Sequence, residues 1–236
     1  MNENPRGDYA EVNGLRMYYE VHSDGDPLVL LHGAYMTADE MGPLLPGLAE
    51  NRRVIVPEMQ GHGRTADVAD RLITYEGMAD DTAALLRHLG IEEADVFGYS
   101  MGGSVALHLA IRHPDVVRKL VLASVTYNPG GVHPGLMEGL ADMKPEMMFG
   151  SPWHEEYTRI APNPDDFATL FAKKTQMDRN LKDVPAEVIE SIEAPTLLVI
   201  GDSDIVRPEH AVEMFRLLPR AQLAILPVAC PPVAPP

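Results

Sequence analysis

Val96-Phe97-Gly98-Tyr99-Ser100-Met101-Gly102-Gly103 decides the fold. Ala94 to Phe97 reads as a short strand, and Ser104 to His113 reads as a helix. Between them, glycines at 98 and 102 flank Ser100 at the spacing G-x-S-x-G. A serine on so sharp a bend sits in strained backbone, and side chains two residues to either side would collide there. The motif alone is common by chance. Its strand–turn–helix setting favours an activated serine over an ordinary glycine-rich turn.

Outward from this point, short apolar runs alternate with helical patterns, the signature of a mostly parallel sheet covered on both faces. Leu15 to Val21 alternates like an early strand after a turn at Asn13-Gly14. Leu28 to Leu31 and Arg53 to Val56 are the continuous runs expected of buried strands. Tyr75 to Leu89 carries a helical stripe of Met78, Thr82, Leu85, Leu86 and Leu89, and Gly90 stops it. Lys119 to Ala123 and Thr196 to Ile200 are further strands, Pro208 opens a helix to about Leu218, and Gln222 to Leu226 is the last strand. From about Thr126 to Glu193 the pattern changes to Met, Pro and acidic residues, which predicts a helical insertion over the active edge of the sheet. The expected division is therefore 1–125 for the first part of the core, 126–193 for a helical lid, and 194–236 for the second part. Flexible methionines suit an adaptable apolar pocket, although a methionine stripe is more often plain core.

Composition narrows the function. The chain's 19 basic and 35 acidic residues give a formal charge of -16, which repels phosphate backbones and anionic lipid surfaces. Nucleic acid and membrane are therefore not expected as partners; a small-molecule substrate is. Cys230 is the only cysteine, so no internal disulfide forms and a reducing compartment fits. Met1 to Asp8 is polar and lacks the apolar core of a signal peptide, so a cytoplasmic location is expected. Neither a metal-ligand cluster nor a phosphate loop nor a nucleotide fingerprint is present in the sequence, and no cofactor or metal is expected.

These features resemble the α/β-hydrolase family over about residues 9 to 226, in its serine-nucleophile, esterase/lipase-like branch. The likeness implies an α/β fold, a mostly parallel doubly wound sheet with a helical lid insertion. Gly98-Tyr99-Ser100-Met101-Gly102 matches the nucleophile elbow, and His32-Gly33-Ala34-Tyr35 matches the oxyanion loop. Gly61-His62-Gly63-Arg64 resembles the family's G-x-G loop, with Glu58 where an aspartate is common. Gly201-Asp202-Ser203-Asp204 matches G-x-x-D, whose final aspartate is the triad acid. The resemblance implies Ser100 as nucleophile, Asp204 as acid in preference to Asp202, and the backbone N–H groups of Ala34 and Met101 as the oxyanion hole. It implies a structural role for His32. Tyr35, Met36 and Trp153 are the expected substrate-lining residues, from their places beside the oxyanion loop and in the lid. Ser100 argues against haloalkane dehalogenases and epoxide hydrolases, which carry aspartate at the elbow.

One element departs from the family. Its triad histidine follows the last strand, whereas here Pro227 to Pro236 is proline-rich and no histidine follows His210. A closing helix is also missing, since this run of prolines cannot form one. His62 and His210 read as structural and surface residues respectively, while His133 and His154 lie in the insertion, which would have to fold one of them over Ser100. The compositional change at Pro227 favours an altered or truncated C-terminus over a pseudo-enzyme or a histidine donated by a second chain. The uncovered sheet face then suggests a homodimer. The expected function is hydrolysis of carboxylic esters or related small apolar acyl substrates, with turnover limited by the missing base. A non-catalytic ligand-binding pseudo-hydrolase is the alternative, and a C–C bond hydrolase or cofactor-free haloperoxidase is the alternative within the family.

Overall fold

The computed structural model describes residues 6–227 except 137, 138, 140 and 141. Expectations about Cys230, the proline-rich tail and Met137 fall outside the described residues. Eight strands, β1 (Arg6–Val12), β2 (Leu15–His22), β3 (Asp26–Leu31), β4 (Arg52–Pro57), β5 (Ala94–Tyr99), β6 (Val117–Ala123), β7 (Thr196–Gly201) and β8 (Ala221–Leu226), make one sheet. Their order is β1-β2-β4-β3-β5-β6-β7-β8, antiparallel for β1–β2 and β2–β4 and parallel for the rest. The helices are α1 (Leu45–Leu48), α2 (Tyr75–His88), α3 (Met101–Arg112), α4 (Pro152–Ile160), α5 (Phe167–Arg179), α6 (Ala186–Glu190) and α7 (Pro208–Leu217).

Local chemistry explains the elements. Asn13 (φ 48°) and Gly14 (φ 79°) both turn left-handed, as a two-residue hairpin requires. The hairpin exposes Glu11 and Arg16 and buries Ala10, Val12, Leu15 and Met17. β1 was not foreseen, because its sequence reads as polar; only pairing with β2 turns its alternation into a buried face. In β3, Leu28 to Leu31 are buried on both faces. The Thr74 side chain caps α2 by accepting from Gly77 N at 3.0 Å. Gly90 at φ 67° ends that helix. α3 starts at Met101, three residues earlier than the pattern suggested, because the elbow runs straight into the helix.

α2 and α3 cover one sheet face. On the other, Leu28, Leu30, Val54 and Val56 pack under Ala38 and Met41, with Leu45 and Leu48 at their margin. Farther along that face, Phe97, Val121 and Leu197 stand side by side in register and are only half-buried. Between β6 and β7 the chain leaves the sheet and forms α4, α5 and α6. No helix among the described residues is long and apolar enough to cross a membrane.

The join between α3 and the sheet leaves no room for a side chain on Gly98 or Gly102. A Cβ on Gly102 would fall onto the carbonyls of Leu31 and His32, and one on Gly98 onto the carbonyl of Gly102. Both obstacles are backbone and cannot swing aside. Gly102→Ala is expected to lower the urea unfolding free energy by about 3 kcal/mol or more. Gly47→Ala, whose Cβ meets nothing within 4 Å, should stay within about 1 kcal/mol of the parent. Equal stability of the two variants would refute the close approach.

Candidate active site

Ser100 occupies φ 52°, ψ -116°, left-handed backbone that a non-glycine residue adopts only under constraint. The constraint is visible. Its N–H donates to Ala123 O at 2.8 Å, and its carbonyl accepts from Ser104 N at 3.0 Å, so strand β6 and helix α3 hold it from both sides. The hydroxyl makes no hydrogen bond to another described residue.

Opposite stands the loop after β3. The N–H groups of Ala34, in this loop, and of Met101, at the start of α3, donate to no other described residue. The loop is pinned from beneath by His32, which is fully buried. Its Nδ1 lies 2.8 Å from Gly33 O and therefore carries the proton, while Nε2 accepts from Met59 N at 3.1 Å. Burial pushes the His32 pKa down to about 4, against a smaller upward pull from the Gly33 carbonyl. His62, likewise buried, lies 5.1 Å from it ring to ring. Desolvation first and the neighbouring His32 second push its pKa down to about 3.

Glu58 is the residue whose importance the sequence concealed. Its carboxylate is fully buried and accepts from Ala38 N (3.1 Å), Arg64 N and Arg64 Nη1 (2.8 Å). It thus braces the far end of the oxyanion loop against the loop after β4. Burial raises its pKa, and the Arg64 and Ala38 N–H groups oppose that rise. Gly63 (φ 53°) leaves room for this carboxylate, which a Cβ would strike. Only the displacement of the family's aspartate by a glutamate could have signalled the brace.

Asp204 is buried in the loop after β7. Oδ2 accepts from Ser124 Oγ at 2.6 Å and Gly201 N at 3.1 Å, and Oδ1 accepts from Val206 N at 3.1 Å. Ser124 directly follows Ala123, the residue that holds Ser100, so acid and serine share one strand end. Asp202 is exposed.

The histidines lie elsewhere. His210 is not the surface residue its helix position suggested: it is 1% exposed, stacked on Tyr127 at 4.6 Å, and accepts from Tyr127 N at 3.3 Å. Gly131 makes the room, since a Cβ there would strike the His210 ring. His154 accepts from Gly150 N at 3.3 Å and packs on Phe149 and Phe167. His133 is exposed. None of them hydrogen-bonds Ser100.

The expected lining residues separate. Tyr35 (φ 63°) packs its ring between Phe167 and Phe171 of α5, 6.0 Å from each. That contact joins the insertion to the oxyanion loop. Met36 bends back with its N–H on Gly33 O at 3.3 Å. Trp153, on α4, is 45% exposed. A cleft of about 710 Å³ lies on the flank, walled by Tyr75, His108, Ile111, Met177 and Val188, and Ser100 is not among its lining residues.

Sequence comparison decides the family at this point: residues 26–186 match the alpha/beta hydrolase fold. The chain belongs to the alpha/beta hydrolase fold family. Among similar proteins, sn-1-specific diacylglycerol lipase ABHD11 of Mus musculus is 27% identical over 93% of this chain and 80% of its own length. The 2-hydroxymuconate semialdehyde hydrolase of Pseudomonas sp. (strain CF600) is 40% identical over 54% of this chain and 44% of its own. A putative lipase from Acinetobacter baumannii AYE shares the fold with a TM-score of 0.80 at 21% identity, over 94% of this chain and 83% of that one.

The two buried histidines make stability depend on pH. The unfolded chain protonates each near pH 6.5, whereas the folded protein resists until about 4 for His32 and about 3 for His62. Between these limits the unfolded state binds more protons, so stability is full above pH 6.5 and falls as pH drops. His62→Gln should flatten the slope of unfolding free energy between pH 6.5 and 4 by about 1.4 kcal/mol per pH unit. Urea titrations at several pH values read this directly; an unchanged slope would show that His62 is already charged in the folded state.

Proposed function

We propose that this protein is a serine hydrolase of carboxylic esters or related small acyl compounds, acting through an acyl-enzyme at Ser100. The observation that carries the reading is the strained Ser100 at the β5–α3 elbow, together with the Ala34 and Met101 N–H groups, which donate to no other described residue. In the proposed step Ser100 Oγ bonds to the acyl carbon while its proton passes to a base, and the leaving alcohol then departs with a proton. The N–H groups of Ala34 and Met101 receive the developing oxyanion, each worth about 3 kcal/mol in such sites. Water hydrolyses the acyl-enzyme in the second half-reaction. Asp204 orients and charge-stabilises the base. The insertion, resting on Tyr35 through Phe167 and Phe171, acts as the lid.

The base sets the rate. With no histidine hydrogen-bonded to Ser100, turnover should lie many orders of magnitude below that of a complete triad, for which the loss is about a millionfold. The same observation favours a second reading, a binding protein that keeps the pocket and lacks the chemistry. Similarity to 2-hydroxymuconate semialdehyde hydrolase over 54% of the chain keeps C–C bond hydrolysis as a variant of the first reading.

Fluorophosphonate labelling with intact-mass detection separates the readings. A single adduct that disappears in Ser100→Ala is expected if some group activates the serine. A folded chain that takes no label at all would eliminate the hydrolase and leave the binding protein.

A further inference from the structure

The sheet ends on one side at β1 and on the other at β8. β1 is guarded: Arg6, Asp8 and Glu11 place charges along it, and a charged edge resists pairing with another chain. β8 has no such guard. Ala221-Gln222-Leu223-Ala224-Ile225-Leu226 holds no charge and no proline, and its register with β7 runs unbroken from Ala221 to Leu226. Ile225 and Leu226 are 44% and 45% exposed, and Phe215 is exposed on α7, the helix that packs against β8. In a chain with a formal charge of -16, this margin is apolar and uncharged.

The ladder to β7 shows which backbone groups of β8 are left over. Thr196 N donates to Arg220 O at 3.0 Å, and Asp202 N donates to Leu226 O at 2.9 Å, one at each end. Strand alternation turns Gln222 and Ala224 toward β7 along with Arg220 and Leu226. Ala221, Leu223 and Ile225 therefore point their N–H and C=O groups away from β7, and β8 pairs with no other described strand. Pro227 is next in that outward series and has no N–H, so the row of donors ends there. The row is symmetric about Leu223 and is its own complement when reversed. Laid antiparallel on a copy of itself, Leu223 faces Leu223 and Ala221 faces Ile225 in both directions. Each of these is the kind of pair that exchanges two hydrogen bonds.

We propose that β8 is an interface for a second copy of this chain, the two β8 strands running antiparallel about a two-fold axis at Leu223. The dimer then carries one continuous sheet, and both copies use the same patch, as two-fold interfaces do. The self-complementary row is what selects a second copy over an unrelated strand. Leu223 packs against Ala211 of α7, so the side chains of Ala221, Leu223 and Ile225 share the face that α7 covers. Pairing there buries Ile225 of each copy against Ala221 of the other. On the opposite face Gln222 stands in register with Leu197, so the half-buried row of Phe97, Val121 and Leu197 runs up to the interface. The charge of -16 on each copy opposes association, and salt relieves that repulsion while leaving an uncharged strand edge unaffected. The interface is independent of the serine-hydrolase reading.

Size exclusion with light scattering, on a dilution series of the whole chain from about 100 μM in about 0.05 M and 0.5 M NaCl, tests the interface. The expected mass is twice that of one chain, with a dissociation constant at least about threefold tighter in the higher salt. Ile225→Pro removes an outward N–H without touching the ladder to β7, and should weaken the dimer at least about tenfold. If circular dichroism shows that variant unfolded, Ile225→Lys is read instead, since it sets a charge at an exposed edge position. Leu223→Cys in a Cys230→Ser background should crosslink two copies under glutathione oxidation, because directly opposed partners of this kind stand about 5.5 Å apart at Cα. The mass of a single chain in both salts would overturn the proposal and leave the edge to residues 228–236 or to another protein. A dimer that keeps its strength in the edge variant, loosens as salt rises or gives no crosslink at Leu223→Cys would overturn it too.

Discussion

The approach of helix α3 to the ends of β3 and β6 is the constraint from which the rest of the site follows. Gly102 lies against the carbonyls of Leu31 and His32, and Gly103 lies against Val125 and the Ala123 carbonyl. With no Cβ on either residue, the helix start can sink into the sheet edge. Ser100 is then left with one way to connect strand to helix, the left-handed φ of 52°. The bond from Ser100 N to Ala123 O offsets part of that strain. The same depth brings the start of the oxyanion loop beside the first turn of α3. Geometry of this kind is set by backbone, and it therefore survives changes in nearly every side chain around it.

Side chains enter where the backbone alone is floppy. The loop from His32 to Ala38 has little regular structure, so it is tied at both ends by buried polar groups. His32 holds the near end through Gly33 and Met59, and Glu58 holds the far end through Ala38. Each anchor is expensive to bury and is made tolerable by complete hydrogen bonding. Arg64 closes the second anchor by pairing with both Glu58 and Asp39. The oxyanion loop is thus held by neutral imidazole on one side and a paired carboxylate on the other.

This division explains what the sequence disclosed. The elbow, the buried β3 run, the α2 stripe with its Gly90 stop and the Gly201-to-Asp204 turn were legible because each is a local pattern with a local cause. β1 was not, since its inward face is Ala10 and Val12 between polar neighbours and becomes a strand only beside β2. His210 was misread as a surface residue because its burial depends on Tyr127 and on the missing side chain of Gly131, both about eighty residues away in sequence. Lys174 leaves a trace in the sequence. Phe167, Leu170, Phe171 and Met177 form an apolar stripe, and a lysine stands where that stripe calls for a leucine. Its partner Asp178 could be read from i,i+4 spacing.

Asp204 bears on the question of the base in a way that the histidine count alone does not. Its carboxylate is held by Ser124 Oγ and by two backbone N–H groups, all within the protein. An acid that owed its position to a histidine would turn or draw in another cation when that partner is elsewhere. Here it stays at the strand end next to Ala123, the residue that fixes Ser100. Ser100, the loop from His32 to Ala38 and Asp204 are therefore each held by contacts to neighbouring backbone and buried side chains. Fixed positions of this kind are what electrostatic preorganisation would require on the serine-hydrolase reading. On the serine-hydrolase reading proposed above, proton transfer is the step that such a site lacks. Any neutral imidazole that reached Ser100 and Asp204 together would find the remaining parts already in place.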